Sequence, residues 1–104
     1  MVVWSEKLYI GEQVEKKANK LKKKLEAGKL VTGAFLITRP SNEQNLFDIL
    51  PAKELMFPYY KKRELAVYGL AKDKAEAERL VVSMIEDVYR ETAGLCCKEY
   101  FEAK

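Results

Sequence analysis

The sequence predicts one domain of α+β or α/β class: a single mixed sheet of about four strands, packed by two longer amphipathic helices and one short helix. Three observations predict it. Leu65 to Ala71 is an uncharged run in which both alternating sets of residues are apolar, as an interior strand requires. It leads straight into a helix opened by Asp73. A second apolar run, Leu30 to Thr38, follows another stretch of helical periodicity. A chain of 104 residues supports one core and not two, so residues 1–104 are read as a single domain.

Taken in order, Met1 to Ile10 contains Trp4, Leu8, Tyr9 and Ile10 but is too short to assign. From Glu12 to Ala27, the residues Val14, Ala18, Leu21 and Leu25 fall in one stripe at 100° per residue, with Gly28 as the stop. The opposite face carries a ridge of Lys16, Lys20, Lys23 and Lys24, partly offset by Glu12, Glu15 and Glu26 at spacings of three and four. In Leu30 to Thr38, Val31, Phe35 and Ile37 share one face and Leu30, Ala34 and Leu36 the other, while Gly33 suggests a bulge or a close approach. Arg39 to Asn42 is a turn by composition.

Asn45 to Leu50 reads either as a strand, with Phe47 and Ile49 inward and Asp48 outward, or as a helix capped by Ser41. The alternation of Phe and Ile around one charge, and the stop at Pro51, favour a strand returning antiparallel to Leu30 to Thr38. Pro51 then begins a short helix that Pro58 ends.

In Leu65 to Ala71, regular alternation puts Leu65, Val67, Gly69 and Ala71 on one face and Ala66, Tyr68 and Leu70 on the other. Asp73 and Glu76 are spaced close to a capping box, and Gly94 is expected as a left-handed stop. Between them, Ala77, Val81, Met84, Ile85, Val88 and Thr92 form the stripe that covers the sheet. Leu80, Val82 and Tyr89 widen the apolar arc to about half the cylinder, more than the roughly 100° that one packing surface needs. Leu95 to Phe101 is expected as a short edge strand and residues 102–104 as a frayed end. Leu30 to Thr38 and Leu65 to Ala71 should be central, with the helix before the last strand allowing a parallel right-handed crossover.

Composition narrows function mainly by exclusion. With 48% hydrophobic and 34% charged residues the chain is globular in character, and it has no apolar run of the roughly 20 residues that a spanning helix needs. The start shows no basic region ahead of an apolar stretch, so the cytoplasm is the expected location and no membrane partner is expected. Cys96 and Cys97 are adjacent, a poor arrangement for a structural disulfide, and are read as a reduced pair. The absence of histidine removes the commonest general base, the usual zinc nitrogen ligand and every Ser-His or Cys-His nucleophile. The scattered glycines fit no phosphate-cradling motif, and no ligand cluster suggests a metal. No catalytic residue, metal or cofactor is therefore assigned.

Three readings remain. A non-enzymatic binding or interaction domain, self-associating as a homodimer through Leu80, Val82 and Tyr89, is the leading one. A nucleic-acid accessory protein would use the lysine ridge together with Tyr59, Tyr60, Lys61, Lys62 and Arg63, where aromatics and cations lie side by side. An enzyme or small-ligand sensor would place a pocket near Tyr59, Tyr60 and Asp48.

The run NLFDILPAKELMFPYYKKRELAVYGLA, followed by an acidic helix and VYRETAG, resembles a group of small uncharacterised bacterial proteins. The likeness covers most of the chain after Gly11 and is most specific from Phe47 through Pro51 to Tyr59, Tyr60 and Lys61. It implies a compact α/β domain and no activity.

Overall fold

A computed structural model describes residues 1–102. Of the expected frayed end, Ala103 and Lys104 lie outside the described residues, whereas Glu102 is not frayed: it ends a helix and its carboxylate is held by Arg39 and Tyr68. Four strands form one mixed sheet in the order β1-β4-β2-β3, where β1 is Val2–Ile10, β2 is Phe35–Thr38, β3 is Asp48–Pro51 and β4 is Leu65–Ala71. The two segments expected at the centre are the central strands and lie side by side. β2 pairs antiparallel with β3, Ile37 opposite Ile49 and Leu36 opposite Leu50, so the expected hairpin forms, but its second strand starts at Asp48, leaves residues 45–47 outside, and takes in Pro51, which was expected to stop it.

Helices cover both faces. A 3-10 turn, Glu12–Lys17, runs into α1, Ala18–Glu26, and this pair packs Val14, Ala18 and Leu25 against Leu36, Val67 and Leu70. A second 3-10 turn, Ala52–Met56, and the single-turn helix α2, Pro58–Lys61, follow β3. On the other face α3, Lys74–Thr92, and α4, Cys97–Glu102, bury Ala77, Met84, Val88 and Phe101 against Ile37, Ala66 and Tyr68.

Several expectations are corrected. The unassigned N-terminal segment is β1, which pairs parallel with β4 from Val2 opposite Leu65 to Ile10 opposite Leu70. The expected C-terminal edge strand is instead helix α4. The parallel pair therefore spans β1 and β4, not the last two segments. Strand β2 begins only at Phe35. Gly33 takes a left-handed φ of 73° with open space around it, so it is a turn and neither a bulge nor a close approach. The turn leaves Leu30 exposed and puts Val31 in the α1-side core with Ala34 and Leu36. Pro58 does not merely end a helix: it stands at the first position of α2, where its missing N–H costs nothing.

Alternation in β4 is interrupted as well. Ile37 faces Gly69 and Thr38 faces Val67, which leaves Tyr68 as an extra residue in the ladder. As a result Leu65, Val67 and Leu70 belong to the core on the α1 side, while Ala66, Tyr68 and Ala71 belong to the core on the side of α3 and α4. Asp73 caps α3 as expected, its carboxylate accepting from the Glu76 N–H at 2.8 Å. Ala93, with φ 58°, supplies the left-handed residue expected at Gly94.

Candidate functional site

The α1 layer contains a cleft of about 430 Å³, and its walls follow from two local stops in the chain. At the end of α1 the Ala27 and Lys29 amides donate to the Lys23 and Lys24 carbonyls, both at 3.0 Å, and Gly28 turns through a left-handed φ of 74°. Lys29 is thereby brought to the rim. On the opposite side Phe57, extended at ψ 142°, precedes Pro58, and the Tyr60 and Lys61 amides donate back to its carbonyl at 3.0 and 3.2 Å. That single turn directs Tyr60 and Lys61 to the cleft. Val2, Leu25, Leu55, Met56 and Leu65 provide apolar walls between the two rims.

Polar groups at the mouth are held in place. Glu26 accepts from the Trp4 indole N–H at 2.8 Å, and the Lys22 ammonium lies 5.4 Å from the Trp4 ring. Burial raises the Tyr60 pKa, with Glu54, Tyr59 and Asp48 adding to the effect, so its hydroxyl stays protonated. The Tyr59 ring meets Tyr60 edge-on at 4.9 Å, and the Arg63 guanidinium lies 4.4 Å over it.

Of the residues singled out in the sequence, Tyr60 and Lys61 line this cleft. Tyr59, Lys62 and Arg63 are exposed beside it. Asp48 is half-buried on β3 and accepts from the Ser41 N–H at 2.8 Å, holding the β2–β3 turn. Lys16, Lys20, Lys23 and Lys24 are all exposed on the α1 layer, and none of them lines the cleft, to which α1 contributes Leu25 and Glu26. The end of the lysine-rich helix and the tyrosine loop, separate in sequence, thus border one opening. Val82 and Tyr89 are 56% and 60% exposed on α3, on the other side of the sheet, whereas Leu80 packs partly against the core there.

Sequence reasoning missed Glu26 and Lys29 as parts of the cleft, and Trp4 as the partner that holds Glu26. Glu26 had a signal only as a flanking charge, and its indole partner lies in a segment that could not be assigned. It also missed a polar group on the α4 side. Tyr68, fully buried, donates to the Glu102 carboxylate, which the Arg39 guanidinium clamps with two N–H groups, one at 2.8 Å. Burial and the Glu102 carboxylate push the Tyr68 pKa up, and Arg39 together with the Tyr68 hydroxyl holds Glu102 below its ordinary value. Both shifts fix the ordinary protonation state, which suits an anchor better than a proton-transfer pair. Burial likewise raises the Cys97 thiol, the opposite of an activated nucleophile. Among the described residues, no three Cys, Asp or Glu side chains stand together as a metal would need. Among the described residues, no helix is long and apolar enough to cross a membrane.

Comparison with protein-family models, with curated proteins and with solved structures finds no match for the chain.

Proposed function

We propose that this chain is a non-enzymatic binding domain that engages an anionic partner through the cleft and the basic surface around it. The observation that carries this reading is the meeting of Lys29 and Lys61, from separate stretches of the chain, at one apolar-walled opening beside Tyr60, with the four ridge lysines exposed on the helical segment that leads to it. Its volume lies within the roughly 300–1,000 Å³ typical of ligand pockets. Two unbridged cysteines support a reducing compartment, the cytoplasm. Titration with heparin tests the reading. The expected affinity falls linearly with the logarithm of salt concentration, and Lys61→Glu combined with Lys24→Glu weakens it further. Failure to bind at low salt would sink the idea.

A second reading is favoured by α3. Val82 and Tyr89 stand one heptad apart and largely in water, an apolar pair that a second copy of the chain could cover. Light scattering across a dilution series decides it: a dimer that Val82→Asp disperses supports the reading, and a monomer at every concentration ends it.

A further inference from the structure

We propose that the partner of the basic surface is a single strand of nucleic acid, its phosphates following the lysines and its bases resting on Tyr59, Phe57 and the walls of the cleft. This rests on the reading of that surface as an anion site and adds the chemistry of the partner. Phosphate alone would account for the cations. It would not account for the aromatic surface left in water among them.

Phe57 and Tyr59 are 57% and 56% exposed, and they immediately precede Lys61, Lys62 and Arg63, all exposed as well. The Tyr59 ring does not swing freely, because Arg63 covers one side at 4.4 Å and Tyr60 abuts it at 4.9 Å. An oriented ring beside a guanidinium is what a stacked base and its phosphate require. Behind it, Leu25, Leu55, Met56 and Leu65 line the cleft with apolar side chains, and Tyr60, Lys29 and Lys61 line it too. A nucleobase has matching features: apolar faces and polar edges. A duplex keeps those faces stacked inside and could use only the lysines. Nor does the outer face of α1 suit a lipid surface, since its exposed residues are lysines, Asn19 and Glu26 and it lacks the Trp, Phe or Leu that enters the acyl boundary.

Fluorescence anisotropy with a labelled oligothymidylate of about 15 nucleotides, near the upper site size of single-strand-binding folds, tests the proposal. Expected are salt-sensitive binding, weaker binding of a duplex of equal length, and a roughly tenfold or greater loss in Tyr59→Ala, the range found when one base loses its aromatic platform. Heparin binding should survive that substitution. Lys74→Ala, on the opposite face of the sheet, should alter neither. If Tyr59→Ala leaves oligonucleotide binding unchanged and heparin competes equally well, the base-stacking proposal is overturned and the anion-binding reading survives. If the protein binds anionic phospholipid vesicles and no oligonucleotide, the surface belongs to a membrane instead. Absence of binding to oligonucleotide, heparin and vesicles at low salt would overturn both readings.

Discussion

Glu76 accepts one hydrogen bond from the Lys72 N–H at 2.7 Å and another from the Gln13 N–H at 2.9 Å, while its own N–H donates to Asp73. It is 5% exposed, and a Cβ on Gly11 would overlap its carboxylate. One side chain therefore joins the exit of β1 to the start of α3. Glu76→Ala would leave two sheltered amides without acceptors and should cost about 2–4 kcal/mol in denaturant unfolding. Gly11→Ala, which displaces the same carboxylate, should cost a comparable amount, and a change of less than about 0.5 kcal/mol in both would contradict this role. Ala93 presents the reverse case. It occupies left-handed backbone that glycine enters without strain, so Ala93→Gly should stabilise the fold by about 1 kcal/mol, read as a rise in melting temperature. The Asp73–Glu76 spacing was legible in the sequence because it is local. The Gln13 contact was not, since it spans 63 positions.

At the scale of elements, what could be read depended on whether local pattern or distant packing decided the outcome. β4 and α3 were legible because an uncharged run and a long period of 3.6 have few alternatives. The extra residue at Tyr68 was not, because its position in the ladder is set by pairing with β2. Residues 95–101 misled through their β-favouring Cys, Tyr and Phe. The same residues also satisfy helical spacing, with Cys97 and Phe101 buried four apart, and the outcome was decided by a cluster of aromatic rings. Phe101 stacks on Tyr68 at 4.9 Å and meets Tyr9 and Phe47 edge-on at 5.7 and 5.8 Å. β1 escaped notice because residues 5–8 leave the ladder and carry Glu6 and Lys7. There the Ser5 hydroxyl and the Lys7 ammonium donate to the Phe101 and Tyr100 carbonyls.

The anchorage of α4 should depend on pH. Glu102 has a folded pKa below its ordinary value, so the stability it contributes is present above the unfolded glutamate pKa and disappears as pH falls through the folded one. Arg39→Gln should weaken that acid limb, whereas the limb should be unchanged if Glu102 were merely solvated. Urea unfolding measured from neutral pH downward distinguishes the two. Tyr68 adds an alkaline limb of opposite sense: its raised pKa makes the fold lose stability once pH climbs past the usual tyrosine range.

For the whole molecule, charge is unevenly distributed along the chain. Residues 12–63 carry twelve Lys and Arg against six Asp and Glu, and residues 64–104 carry nine Asp and Glu against six Lys and Arg. The asymmetry was visible in the sequence, but whether the two parts neutralise each other was not. α1 and α3 lie on opposite faces, so the positive side keeps its field toward solvent and can steer an anion to the cleft. How the halves are joined has a consequence for how the molecule forms. Strand β1 must wait for a partner that begins more than sixty residues later, whereas β2, β3 and β4 can assemble through shorter loops. Loop-closure entropy makes the distant pairing the slower event. In pulse-labelled hydrogen exchange during refolding, the amides of β2 and β4 should gain protection before those of β1, and simultaneous protection would refute that order. Until then the future neighbour of β1 is an open ladder of unpaired amides and carbonyls on β4, and a β1 from another molecule could fill it, giving a strand-exchanged pair at high concentration.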